Sequence, residues 1–592
     1  MDRSDEFIHV GSLEEVQARS PLVVSRGSVP IVLFRYGDAL HAVDNRCPHM
    51  GFPLHRGTVE DGILTCYWHH ARFDLVSGCT FNLFADDVDS YAMEVRDGEV
   101  FLDIRPPRTD PVKRWTRRLQ EGMEQNLGLI VGKSVVGLHS SGVTPNEITR
   151  QGALYGVRLR EDWSSGLTIL SAMANLCDHL EGEEQIAPLY HALVHVARDC
   201  AGQTPKFAIQ PLHNQDIPQE HLKRWFRYFV EVRSTEGAER CLLTAIHKGM
   251  SDAQLADLIV TAATDHFYLD DGHVVDFINK AFELLDRIGW QQASQILPSL
   301  IRPLCTAARS EERNAWRHPI DLVPLLKEAF DLLPALVEEG RDKSWTRSEA
   351  LTEALFGDDP ATPIEALKEA IRQGAKTVQL AQVVAYAAAL RIVRFHVQNE
   401  FADWIAVLHS FTYANALHQL LKRAQSPELL RGVFHGAMQV HLDRFFNIPS
   451  ARLPTRKERR EEIEPIQPRL LDLMNLQQQT DDAGQMVYSY LGAGGDGQVL
   501  LRTLSEGLLR EDAEFHSFQM LEAAVRQYQE LDDFSEKTLV MVGAARYLAA
   551  HSPTQRAMQQ TLRVALRLHR GDPVYEAETN TEAAASGPQA PL

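Results

Sequence analysis

Two short stretches constrain this chain more than any other: Cys47-Pro48-His49, then sixteen residues, then Cys66-Tyr67-Trp68-His69. Each stretch supplies one Cys and one His, so two thiolates and two imidazoles arrive from two loops. Two Cys and two His bind zinc in many small domains. They also bind a two-iron, two-sulfide cluster, with both Cys on one iron and both His on the other. Zinc fingers place their His pair together on a helix, whereas here each stretch mixes Cys with His. The flanks read as strand: Ile31-Val32-Leu33-Phe34, Leu40-His41-Ala42-Val43-Asp44, and Gly62-Ile63-Leu64-Thr65 running into Cys66. These features favour the cluster, with zinc as the alternative.

Residues from about Phe7 to Ile104 resemble a ferredoxin-type Rieske [2Fe-2S] domain. Ala42-Val43-Asp44-Asn45-Arg46-Cys47-Pro48-His49-Met50-Gly51 is close to that family's first loop, and Cys66-Tyr67-Trp68-His69-His70-Ala71-Arg72-Phe73-Asp74 to its second. The resemblance implies an all-β domain that moves single electrons, with Cys47 and Cys66 on one iron and His49 and His69 on the other. It covers under a fifth of the chain. Rieske proteins of respiratory cytochrome bc complexes carry a further Cys in each loop, joined as a disulfide. Here Phe52 and Trp68 stand in those places. Those proteins also place a Ser and a Tyr after the second His, where this chain has Ala71 and Phe73. Hydroxyls that donate to sulfur stabilise the more negative reduced cluster, so their absence implies a low potential. Arg46, His55, Arg56 and His70 read as solvated loop residues. His55 and His70 have a second reading, as shapers of the cluster's exposed edge.

At 592 residues the chain is too long for one compact domain. Its formal net charge of −20 disfavours nucleic acid and anionic membranes as partners. No apolar run follows Met1-Asp2-Arg3-Ser4-Asp5-Glu6, and no segment approaches the roughly 18 apolar residues of a membrane span. Cys79, Cys177, Cys200, Cys241 and Cys305 are scattered and form no CxxC. Reduced thiols in a cytoplasmic protein are the expectation.

After Pro106-Pro107 the alternation of strands gives way to helical periodicity, as in Leu322-Val323-Pro324-Leu325-Leu326-Lys327-Glu328-Ala329-Phe330. The expected organisation is multidomain: an all-β Rieske domain at 1–107, then a large all-α domain. The latter divides into pseudo-repeated halves, 108–300 and 301–570, followed by a disordered tail, 571–592. The repeat rests on shared positions. His273-Val274-Val275-Asp276-Phe277-Ile278-Asn279 matches His409-Ser410-Phe411-Thr412-Tyr413-Ala414-Asn415, and each follows an earlier His, His266 and His396.

These histidines suggest a second site. His191 and His195 stand four apart, on one helical face, a spacing that suits two imidazoles on one metal. His191, His195, His266, His273, His396 and His409 are the candidate catalytic residues, with a second iron or other metal as a possible cofactor. Against this stands the plain alternative that a His on an apolar helix is a hydrogen-bonded core residue. Rieske oxygenases carry a 2-His-1-carboxylate iron site on a large β-sheet domain. This chain has no matching acidic lead-in before His191, and its remainder is helical. The His191-x3-His195 pair resembles, over little of the chain, a helical His pair of questin-oxidase-like proteins. Neither GxGxxG after a strand nor GxxxxGK occurs, so electrons are expected from a separate ferredoxin or flavin reductase. Two functions follow. In one, the cluster relays electrons to a His-lined site that oxidises a small organic substrate. In the other, the chain is a non-catalytic electron-transfer or redox-sensing protein on a helical interaction scaffold.

Overall fold

The strand alternation builds ten short strands among the residues described by the computed structural model, namely 7–26, 29–105, 110–213, 216–424, 426–455, 464–572 and 574. β1 (Phe7–Ser12), β10 (Glu99–Asp103) and β9 (Met93–Arg96) form one antiparallel sheet in that order. β2 (Leu22–Arg26), β3 (Val29–Tyr36), β4 (Ala39–Asp44) and β8 (Ser90–Tyr91) form a second. β5 (Thr58–Glu60), β6 (Ile63–Thr65) and β7 (Arg72–Asp74) form the third. Successive side chains of a strand face opposite sides. Val32 and Phe34 accordingly join a core containing Val43, Leu64, Phe73, Cys47 and Cys66. Ile31 and Leu33 join another with Ala42, Val100 and Leu102. The central sheet is therefore buried on both faces, and one face carries the two loop cysteines.

The chain forms two compact units, one of residues 1–143 and 560–592 and one of residues 144–559. The first thus takes in two helices beyond the strands, Pro111–Glu124 and Gly128–Ser140, and most of a third, Ala557–Arg570. Pro111 opens its helix at N1, with the Asp110 carboxylate accepting from the Val112 and Lys113 amides. The first of these helices begins at Pro111, and the first helical pair falls in the same unit as the strands. Periodicity reports local structure, and which core a helix joins is decided by packing. Of the expected tail, only Gly571, Asp572 and Val574 lie among the described residues.

The second unit is helical. At its centre the Phe401–Arg423 helix, buried on most faces, packs against Thr377–Val393, His273–Ile288 and Phe515–Glu530. No helix among the described residues is long and apolar enough to cross a membrane.

Candidate metal centres

The two cysteine loops share one backbone design. The Cys47 amide donates to the Phe52 carbonyl at 2.8 Å, and the Cys47 carbonyl accepts from Gly51 at 2.7 Å. The Cys66 amide donates to Ala71 at 2.8 Å, and its carbonyl accepts from His70 at 3.1 Å. Both loops turn through a left-handed residue four places after the Cys, Gly51 (φ 78°) and His70 (φ 57°). The His70 position is therefore occupied by backbone geometry. His55 is likewise structural: its amide donates to the Asn45 side-chain oxygen at 2.8 Å. Arg46 pairs with Asp44 at 3.0 Å.

This design brings four donor groups together. Cys47 and Cys66 are 2% and 1% exposed, which excludes water from both sulfurs. The sulfurs share a hydrogen bond, which raises the Cys47 thiol pKa and lowers that of Cys66. Amides of His49 and Met50 donate to Cys47, and those of Trp68 and His69 to Cys66, which favours thiolates. The His49 and His69 rings lie 4.8 Å apart. His49 Nδ1 is buried with no hydrogen-bond partner, as a nitrogen reserved for a metal would be. Burial, the His69 ring and the Lys133 ammonium lower the His49 pKa to about 4, so the ring is neutral and its lone pair free. His69 is exposed, flanked by exposed Tyr67 and Trp68, so one edge of the site meets solvent.

Residues 6–91 match the family model described as the Rieske [2Fe-2S] domain. The anthranilate 1,2-dioxygenase ferredoxin subunit of Burkholderia cepacia is 30% identical over 100 residues, covering 17% of this chain and 93% of that protein. The chain belongs to the Rieske [2Fe-2S] family. The 4beta-methylsterol monooxygenase of Methylococcus capsulatus is 49% identical over 51 residues, 8% of this chain and 14% of that protein. A solved complex of reduced oxygenase and oxidized ferredoxin in carbazole 1,9a-dioxygenase matches at 23% identity and TM-score 0.17, covering 18% of this chain and 98% of that one. The Rieske domain carries a Rieske-type [2Fe-2S] cluster and an electron-transfer role. Its four donors fit that group: two buried thiols on amide-rich loops and two imidazoles, one with an orphaned nitrogen. Ala71 and Phe73 are both 0% exposed and carry no hydroxyl to donate to a cluster sulfur. The expected potential is at the low end of the Rieske range, on the order of −150 mV. Redox titration followed by electron paramagnetic resonance (EPR) measures it, and a value above about +100 mV contradicts this account.

In the helical unit, the six histidines singled out by sequence do not form one site. His191 and His195 share a face, but that face packs on the Phe518 ring, at 5.9 and 5.5 Å. Burial lowers their pKa values to about 3 and about 4, and both His191 nitrogens and His195 Nε2 are buried without a hydrogen-bond partner, but no third ligating group joins them among the described residues. Both nitrogens of His266 are engaged, with Glu311 at 2.9 Å and Glu231 at 3.0 Å, which leaves it no lone pair for a metal. His396 Nδ1 accepts from the Gln398 amide in a turn.

His273 and His409 do converge, with a third ring that sequence reasoning missed, His516. One nitrogen from each lies within 4.8 Å of the others. His409 Nε2 and His516 Nε2 are 3.0 Å apart. Two nitrogens in cis on one ion, each about 2.1 Å from it, stand about 3 Å apart. The outer nitrogens are oriented as metal-bound imidazoles usually are. His516 Nδ1 donates to Glu514 at 2.8 Å, and His273 Nδ1 donates to the Asp270 carbonyl at 2.8 Å. This turns Nε2 of both rings inward, and that of His516 shares a hydrogen bond with His409 Nε2. Burial and the neighbouring rings lower the His409 pKa to about 2, so it too is neutral. Burial pushes the Glu514 carboxyl up, but its bonds to His516 and Ser517 outweigh that and hold it at about 2. Glu514 is also the cap of the Phe515–Glu530 helix, accepting from the His516 and Ser517 amides at 2.7 Å. A Glu two residues before a His at a helix start was the available signal.

The turn before His273 is strained. Tyr268, Asp270, Asp271 and Gly272 all have positive φ, of 41°, 48°, 55° and 92°. The three that are not glycine cost about 1–3 kcal/mol each, and such residues cluster at functional sites. The segment after Thr306 holds the turn: the Asp270 amide donates to Ala308 at 2.8 Å, Ser310 Oγ donates to the Tyr268 carbonyl at 3.1 Å, and Arg313 pairs with Asp271. A Cβ at Gly272 would meet Tyr413 Cβ at 3.0 Å and Tyr268 Oη at 3.1 Å. Gly272→Ala is expected to destabilise the protein by about 1–3 kcal/mol, read as a lower denaturation midpoint. A parent-like midpoint would show that the turn relaxes freely.

A buried polar seam runs from the three rings. His273, Asp276, Lys280, Glu283 and Arg287 recur at helical spacing on the His273–Ile288 helix, and His516, Gln519, Glu522 and Arg526 on the Phe515–Glu530 helix. Gln519 donates to Asp276. Lys280 Nζ bridges Glu283 at 2.9 Å and Glu522 at 2.5 Å. The far end opens on a cavity of about 500 Å³ lined by Asn175, Asp178, Glu283, Arg287 and Arg526.

Proposed function

We propose that this chain is a Rieske oxidoreductase that oxidises a small organic substrate with O₂ at a metal held by His273, His409 and His516. The observation that carries the reading is the convergence of three imidazoles, two of them oriented by outer partners, in a chain that also carries a one-electron cofactor. Cys47 and Cys66 hold one iron of the cluster, and His49 and His69 hold the other. A separate ferredoxin or flavin reductase loads the cluster at the exposed His69 edge, in a reducing, cytoplasmic setting in keeping with seven free cysteines. The names of two relatives, a dioxygenase ferredoxin subunit and a monooxygenase, support delivery to oxygen chemistry.

Iron held by His273, His409 and His516 would supply the redox chemistry toward O₂ and substrate. The chain's own residues do the rest. Glu514 and the Asp270 carbonyl fix two rings in one tautomer. O₂ reduction consumes protons, and the seam supplies groups that carry them. Burial raises the Asp276 pKa to about 7, so its carboxyl holds a proton near neutrality, one helical turn from His273. Beyond it Lys280, Glu283 and Glu522 form a fixed buried ion network that reaches the polar cavity.

The test is reductase-driven O₂ consumption by the whole protein. His409→Ala should keep a reducible cluster and lose oxygen turnover. Parent-like turnover in that variant would overturn the reading. Absence of any turnover in the parent, with only cluster iron bound, would favour the non-catalytic carrier on a helical scaffold.

A further inference from the structure

We propose that Lys133, a residue outside the Rieske fold, raises the reduction potential of the cluster by placing a buried positive charge against its first loop. The inference rests on the cluster assignment alone and is independent of the helical metal.

The family match ends at residue 91, and Lys133 lies beyond it on the Gly128–Ser140 helix. Apart from Ser134, whose hydroxyl donates to the Ile130 carbonyl, the rest of that helix is apolar where buried, through Ile130, Val131, Val135, Val136 and Leu138. Lys133 itself is 6% exposed. A lysine in such a place is costly unless its charge is matched. Its ammonium donates to the carbonyl of Pro48, the residue between Cys47 and His49, and to Asp86 Oδ2 at 3.0 Å.

Asp86 does not need Lys133 for neutralisation. Arg118, 5% exposed, already donates to Asp86 Oδ1 at 2.8 Å and to the carbonyl of Ala85 at 3.0 Å. Two buried cations therefore share one buried carboxylate, and the second carboxylate on Arg118, Glu121, lies on the outer side with a 36% exposed side chain. Of the two, the cation that reaches the cluster loop is Lys133.

Reduction adds one electron to the cluster. A cation held nearby, away from water, is weakly screened and stabilises the reduced form more than the oxidised form. Lys133 is a positioning and tuning residue in this account, since it touches the loop and not the reacting atoms.

The experiment is an EPR-monitored redox titration of the full-length protein, with iron and acid-labile sulfide measured on the same samples. Lys133→Met keeps the shape and removes the charge. It should lower the reduced-to-oxidised ratio at a fixed potential about tenfold, a downward shift of about 59 mV for one electron. Lys133→Arg should stay near the parent. Asp86→Asn leaves the cations unmatched and should shift the potential upward. A parent-like potential in Lys133→Met with a full cluster overturns the proposal. So does a downward shift in Asp86→Asn, which alone decides the matter if Lys133→Met fails to fold. Samples lacking sulfide and a reduced-state signal in the parent would instead overturn the cluster assignment.

Discussion

His516→Ala is expected to strip the helical metal from the protein while leaving the cluster's two irons and two sulfides in place. The variant reduces three nitrogen donors to two and frees Glu514, whose carboxylate otherwise orients the ring at 2.8 Å. Two imidazoles alone rarely hold an ion against dialysis. Glu514→Gln should act in the same direction more gently, with about a 10–100-fold weaker affinity, because outer partners tune ligands without replacing them. Metal analysis after dialysis against a chelator, with sulfide as the internal count of clusters, reads both. Retention of the extra metal in His516→Ala would show that another set of residues binds it.

Lys280→Met is expected to cost about 3–5 kcal/mol of stability, the largest effect of a single replacement away from the two centres. The Lys280 side chain is 1% exposed, and its ammonium lies between Glu283 and Glu522, whose side chains are 7% and 3% exposed. Removing it leaves two buried carboxylates without their shared cation. Asn175 donates to both, at 2.8 Å each, but a neutral amide does not cancel their repulsion. Burial pushes the Glu283 carboxyl up, yet Lys280 and Arg526 outweigh burial and hold it at about 2. Its contribution is therefore present above the ordinary carboxylate range and lost as pH falls through about 2. In Lys280→Met that carboxyl should titrate upward, and the stability deficit should shrink in mild acid, where protonation relieves the repulsion. Urea denaturation at two pH values measures this. A deficit below about 1 kcal/mol at neutral pH, the value of an exposed pair, would contradict it.

The Rieske loops were legible because cluster geometry forces their ligands into short stretches: Cys47 and His49 lie two apart, and Cys66 and His69 three apart. The helical centre was half legible. His273 and His409 stood out by their shared surroundings with Asn279 and Asn415. His516 stood in no comparable pattern, 107 residues from His409 in sequence. Only the packing of three helices joins them. His191 and His195 show the converse. Their spacing guarantees a common face, but says nothing of what that face meets, which is the Phe518 ring. Residues two apart on a helix point about 200° from each other, so His516 looks away from that wall while Phe518 forms it. His266 was removed from candidacy by Glu231 and Glu311, neither near it in the chain. The extent of the first unit was hidden for a similar reason: Lys133 and Arg118 belong to it through Asp86, not through any strand pattern.

The most direct test of the central claim, a cluster and a second, His-bound metal on one chain, is the iron-to-sulfide ratio of protein purified without oxygen. The account predicts about three irons for every two acid-labile sulfides, falling to two for two in His409→Ala. A ratio of two to two in the parent protein, unchanged by added ferrous iron, would contradict it.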